Sequence, residues 1–299
     1  MDRWRPRGFI LLYLAPAALV YLIFYIYPAA DAFRISLYRW TGFAFANAEF
    51  IGLANFREVL RDEQLHLALS NNLKLLFGGG VVCFGLALFF AAALSHARIK
   101  GAGYFKTTIF GPYTISAVGV ALLWSFIYNP SWGLLNVSLR AVGLDSLAKP
   151  VLALKNWAFP AVIFVIVWHV LGFYMMLLLA GVQSIPSDYY DAAQIDGASE
   201  VQTFFYITLP LLRDVLIIAI LYWIIGALKH FGTAYAMTRG RPAGLTHTVS
   251  TYLYEWALPY YSSNYRLGYA TAIAVALFVV VLAMSAMYLR VTSREAIQY

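Results

Sequence analysis

Six long apolar runs, at roughly 9–27, 73–95, 107–128, 158–182, 215–237 and 267–289, leave this chain few ways to fold. Each is close to the about 20 residues that cross a hydrocarbon layer as a helix. Lipid offers backbone N–H and C=O groups no partners, so a spanning segment is either a helix or a strand of a closed barrel. Barrel strands are short and alternate in polarity, and these runs do neither. Composition agrees, with 62% of residues apolar and 12% charged, against about 45–50% and about 25% in soluble domains. The expectation is an all-α polytopic membrane protein with about six transmembrane helices, a single transmembrane domain over residues 1–299 without a large soluble part.

Arg3, Arg5 and Arg7 precede the first run, and Ala30-Asp31-Ala32 loosely resembles a cleavage site. The run exceeds the about 7–15 residues of a signal-peptide core, so the first helix is expected to be retained. Basic residues near helix ends mark the cytoplasmic side. The N-terminal arginines, together with Arg98, Lys100 and Lys106 in the short second connection, place both regions in the cytoplasm. Six spans then return the C-terminus, with Arg290 and Arg294, to the same side. The net charge of +7 is read as topology and lipid-headgroup contact, not nucleic-acid binding. Pro16, Pro112 and Pro160 each remove a helical donor, which marks either a kink or a first-turn position.

Residues 184–213 form a polar segment between the fourth and fifth runs, on the cytoplasmic side in this topology. Ser187 reads as an N-cap, with Asp188 and Asp191 near the positive end of a short helix. Gly197 breaks the pattern, and a second short helix from about Ser199 should end before Pro210. Tyr189, Ala192 and Ala193 then share one face that a partner's groove can accept, while Asp191, Asp196 and Glu200 supply polar contacts.

Few polar groups lie at membrane depth. Lys229 and His230 fall inside the fifth run, where an ionisable group either faces a cavity or partner, or snorkels and pairs at an interface. His169 and Tyr174 in the fourth run, and Tyr222 and Trp223 in the fifth, are further candidates for a substrate path. For any single ring a belt or lipid-facing position remains open. Signatures of chemistry are missing: the histidines at 66, 96, 169, 230 and 247 lack metal-ligand spacing, and Cys83 stands alone. Gly78-Gly79-Gly80 has no following Lys-Ser/Thr, so close helix packing is favoured over a phosphate loop.

Asp191-Ala192-Ala193, Asp196-Gly197-Ala198, Phe204, Ile207 and Leu209-Pro210 keep the spacing of a known pattern. The segment resembles the EAA loop of ABC importer permeases, with Asp191 in place of the usual Glu. Further likeness to the carbohydrate-type, MalF-like branch is carried by Ser36-Leu37-Tyr38-Arg39-Trp40, Gly52-Leu53-Ala54-Asn55-Phe56, Asn71-Asn72, Phe231-Gly232, Met237-Thr238, Pro242, Thr246, Tyr252 and Gly268-Tyr269-Ala270. This resemblance implies a type I permease fold in a cell inner membrane. It also implies a second homologous permease subunit, two ATP-binding cassette subunits that hold ATP and Mg, and an external sugar-binding protein. No cofactor is then expected on this chain. Asp191, Ala192, Ala193, Asp196, Gly197, Ala198, Leu209 and Pro210 would couple it to the ATPase. The substrate implied is a sugar, with a polyol phosphate or other small solute as the alternative. A self-sufficient secondary carrier is the rival from another class, but the paired broken helices of an internal repeat are not evident in the sequence.

Overall fold

Helices dominate the computed structural model, which describes residues 5–42, 47–95, 101–258 and 266–292. Arg3, Arg98, Lys100 and Arg294, used above to orient the chain, lie outside the described residues, as does His96. Among the described residues, five helices are long and apolar enough to span a membrane, at Ile10–Ile35, Glu63–Ser95, Ala158–Gln183, Arg213–Thr238 and Leu267–Thr292. A bent pair, Ala102–Thr114 and Ala117–Ile127, meets at 100° and makes a sixth span when counted as one. The third apolar run is thus not the continuous helix its composition suggests. Gly111-Pro112 tightens the chain into a 3₁₀ turn over Gly111–Thr114. Ser116 then adopts extended backbone and starts a new helix, its hydroxyl accepting from Gly119 N at 3.2 Å.

Among the described residues three π turns interrupt helices, two within spans and one in the polar segment. Leu22–Ile26 precedes Pro28 and Phe204–Thr208 precedes Pro210, both prolines sitting in the first turn of the helix that resumes. Widening the helix just upstream accommodates a ring that would otherwise press on the preceding turn. The third, Leu75–Gly79, runs into Gly80 and lies beside the cavity described below. Pro16 stays inside a continuous helix, and Pro160 takes the first turn of its own, so neither ends a span.

Contacts divide the chain into two units, Met1–Asp62 with Leu253–Phe278, and Glu63–Tyr252 with Val279–Tyr299. In the first unit the long N-terminal span buries none of its most apolar window within the chain. A two-residue antiparallel pairing, Tyr38–Arg39 with Glu49–Phe50, is the strand content of the described residues. Buried Asn55 donates to the carbonyls of Ser36 at 2.8 Å and Tyr38 at 3.0 Å. Gly268 presses against the Tyr38 carbonyl so closely that no Cβ fits, and its N–H donates to Trp40 O at 3.0 Å. Arg266 forks onto both oxygens of Glu58 and lies over the Trp256 and Tyr269 rings. Several of the diffuse sequence likenesses outside the polar segment therefore belong to one clasp.

The second unit is built on the second and fourth spans. Cys83, Ala87 and Ala91, fully buried at four-residue spacing, let Gly80–Ser95 lie close along Ala158–Gln183. At Gly172 the fourth span meets the backbone of Ile109 and Phe110, where any side chain would collide. Val120, Tyr128, Ala161 and Val165 form a cluster closed by Trp124 and Trp168. Asn136, the first residue of a glycosylation-like triplet, is fully buried and donates to Lys149 O at 3.2 Å.

Candidate functional site

A cavity of about 210 Å³ opens where the fifth span breaks. The helix Arg213–Leu228 stops with Lys229 as its C-cap, and Gly232–Thr238 starts afresh after two non-helical residues. Lys229 and His230 are therefore not inside a continuous helix, as the apolar run suggested, but at its interruption. A break at membrane depth exposes carbonyls that need partners. Asn72 of the second span donates to Ala227 O at 2.6 Å and Leu228 O at 2.9 Å, and its Oδ1 accepts from Val249 N at 2.8 Å. Thr248 donates its hydroxyl proton to His230 O at 2.7 Å. Asn71 extends the clip to Leu245 O and His247 O at 2.8 and 2.9 Å.

The cavity wall is aromatic. Trp223 is held by Nε1–H donating to Leu76 O at 2.9 Å, a carbonyl in the π turn of the second span. The indole rests on Gly80, where a Cβ would come within 2.7 Å of Nε1. Tyr174 and Phe84 pack edge-on against it and tilted against each other. Tyr222 is exposed and reaches Phe173, which stacks on Tyr113 at 5.0 Å. Lys229 is exposed and its ammonium makes no hydrogen bond or ion pair among the described residues, while His230 Nε2 is buried without a partner.

Five of the six path residues named from sequence, Tyr174, Tyr222, Trp223, Lys229 and His230, line this cavity. His169 does not line it. Its Nε2 meets Ile115 O at 3.0 Å, the carbonyl left open by the bend in the third span. Sequence reasoning missed Tyr113 and Phe173, which line the wall, and Asn72, which holds the break open. The Asn71-Asn72 pair at the head of an apolar run was the available signal, because such amides at membrane depth are costly unless bonded.

The polar segment forms the second feature. Its first helix is Ser187–Ile195, with Pro186 at the cap and Ser187 already inside, so Ser187 does not cap it as expected. The helix ends in a Schellman turn: Ala198 N donates to Ala193 O at 2.9 Å and Gly197 N to Gln194 O at 3.2 Å, with Gly197 at φ +73°. Ser199 starts the second helix through a capping box with Gln202. That helix does not stop before Pro210, because the π turn carries it through to Leu211. Tyr190 and Thr208 join the two helices by a hydroxyl–hydroxyl bond of 3.3 Å.

Asp188, Asp191, Asp196 and Glu200 are exposed and take part in no ion pair among the described residues. Ala192 is exposed, but Ala193 is buried at 6% and cannot belong to an outward patch. Ile195, Val201 and Tyr206 supply outward apolar surface instead, at 86%, 66% and 80% exposure. Leu209 is half-buried and Pro210 exposed. No cluster of metal-ligating residues occurs among the described residues.

Residues 80–296 match the family described as the binding-protein-dependent transport system inner membrane component. A probable ABC transporter permease protein of Bacillus subtilis, YurN, is 38% identical over 93% of this chain and 94% of its own length. The trehalose/maltose transport system permease protein MalF of Thermococcus litoralis is 35% identical over 97% of this chain and 95% of its own. Among solved structures, a chain of a bacterial ABC transporter involved in import of the acidic polysaccharide alginate superposes with a TM-score of 0.82. It is 26% identical and covers 98% of both chains.

Proposed function

We propose, from the premise that this chain belongs to the binding-protein-dependent transport system inner membrane component family, that it carries a sugar through the cavity at the break of its fifth span. The chain is a multi-pass permease subunit of an ABC importer, not an enzyme and not a self-sufficient carrier. It works with a solute-binding protein. The finer reading is alternating access with a second homologous permease, two ATPase subunits that bind ATP and Mg, and a sugar-loaded external partner. Both termini are assigned to the cytoplasm and the chain to the cell inner membrane.

The observation that carries the sugar reading is the wall of Tyr174, Tyr222 and Trp223 beside Lys229 and His230. Flat rings pack on the C–H faces of a sugar, while a few polar atoms fix its orientation. At about 210 Å³ the cavity is smaller than the about 300–1,000 Å³ of most ligand sites. A single sugar unit with the remaining wall supplied by the second permease fits that size. The relative from Thermococcus litoralis is a trehalose/maltose permease, which supports the same class.

The exposed acids and apolar side chains of residues 184–213 suit docking into a groove of the ATPase subunit. Closure of the ATPase pair would then shift the spans as rigid bodies. The test is copurification of this chain with its genomic neighbours in mild detergent, followed by an ATPase assay with sugar-loaded binding proteins. A second permease and an ATPase in the complex, with stimulation by a loaded sugar, is the expected result. Stimulation by a loaded amino acid alone would overturn the sugar assignment.

A further inference from the structure

Lys229 stands in an unusual position even for a polar cavity. It lies within a membrane span, lines the cavity, and has no carboxylate among the residues that share the wall with it. An ammonium at that depth is costly unless something answers its charge. As the C-cap of Arg213–Leu228 it sits at the negative end of a helix, where terminal carbonyls often serve a lysine. Three carbonyls at the break are already engaged here. Asn72 takes the carbonyls of Ala227 and Leu228, and Thr248 takes that of His230. Neutral donors thus occupy three of the oxygens at the helix end beside the ammonium. Beside it, His230 Nε2 is buried in want of a partner.

We infer that the transported solute carries a negative group, a carboxylate, phosphate or sulfonate, that pairs with Lys229 Nζ while His230 Nε2 completes its hydrogen bonding. The inference rests on the sugar reading above and narrows it to an acidic or acid-substituted sugar. The aromatic wall takes the ring, and the break of the fifth span takes the charge. Charge-assisted hydrogen bonds are roughly twice as strong as neutral ones.

The experiment uses the complete reconstituted importer with its binding protein. The probes are neutral mono- to trisaccharides and the same sugars bearing a uronate, a phosphate or a sulfonate. Substrate-stimulated ATPase activity and vesicle uptake are the readouts, for the wild type, Lys229→Met and Lys229→Arg. The expected result is stimulation by charged members, with transport falling about ten- to hundredfold in Lys229→Met and largely kept in Lys229→Arg. Stimulation by neutral sugars that Lys229→Met leaves within about twofold would overturn the inference and leave the sugar reading standing. Failure of Lys229→Met to assemble with the second permease would also overturn it, by making the lysine an interface residue. If no sugar of either kind stimulates while another solute class does, the sugar reading falls and this inference falls with it.

Discussion

At residues 229–231 and again at 196–199 a helix stops and another begins, yet the polar groups at the two breaks are directed oppositely. In the fifth span the carbonyls of Ala227, Leu228 and His230 are each taken by a side chain from elsewhere in the chain. In the polar segment the turn satisfies its own backbone through Gly197 and the Ser199–Gln202 box, which leaves its carboxylates facing outward. The difference follows from the surroundings. A break in lipid must be closed by the protein itself, whereas a break in water closes locally and keeps its side chains for a partner.

If the polar segment transmits force, its turn must hold one shape, and Gly197→Pro attacks that shape directly. Proline fixes φ near −65°, against +73° in the native turn. Loss of nearly all substrate-stimulated ATPase activity is expected, with helical content unchanged by circular dichroism. Asp191→Lys, on an exposed side chain, should weaken coupling through charge alone. Unaltered stimulation in both variants would remove the distinction between the two breaks.

The fifth-span break is tested by Asn72→Leu. That change leaves two carbonyls and the Val249 N–H without partners, at a cost of about 2–5 kcal/mol in stability. A lower thermal midpoint in detergent should accompany loss of transport, whereas a purified polar-segment variant keeps its midpoint. Equal stability of Asn72→Leu and wild type would show that the break does not depend on this clip.

How much of this was legible in the sequence follows the same division. The polar segment could be read because its pattern is local: Gly197, the Ser199–Gln202 spacing and Leu209-Pro210 lie within a few residues of the structure they produce. The six spans were legible from length and polarity, but the third hides a 100° bend, since apolarity does not distinguish one helix from two. The cavity was half legible. Lys229 and His230 stand out as ionisable groups in an apolar run, but Asn72 lies 155 residues before the Ala227 carbonyl it serves. His169 was ranked with the path for the same reason that Asn72 was overlooked: long-range backbone partners leave no local trace.

His247 sharpens the comparison through pH. It lies between the fifth and sixth spans, in the loop to which Asn71 is clipped, and bonds Thr251 Oγ1 at 3.1 Å. Burial pushes its imidazole down to about 4 from an ordinary 6.5. The folded state then binds fewer protons than the unfolded one between those values, so stability falls as pH drops from 6.5 towards 4 and changes little from this group below that. The loss amounts to at most about 3 kcal/mol. A thermal midpoint that declines across that window in wild type and less steeply in His247→Gln is expected. Identical slopes would assign the acid sensitivity to other groups.

The smallest expected effect separates three adjacent glycines that sequence treats alike. Gly78 faces open space, Gly79 has neighbours at 3.1–3.3 Å from a Cβ, and Gly80 lies under the Trp223 indole with Nε1 at 2.7 Å. The π turn over Leu75–Gly79 presents the Leu76 carbonyl to that indole, and the missing side chain at Gly80 lets the ring settle there. Gly78→Ala should therefore be neutral or stabilise by up to about 1 kcal/mol, the ordinary gain in a helix. Gly80→Ala should cost about 1–2 kcal/mol, because the indole must yield its hydrogen bond or tilt into the cavity. Since Trp223 forms part of the wall, the tilt would also raise the substrate concentration needed for half-maximal uptake, which Gly78→Ala would leave alone. Equal behaviour of the two variants would mean that Trp223 is not seated by the glycine beneath it, and that the cavity wall owes its position to Tyr174 and Phe84 alone.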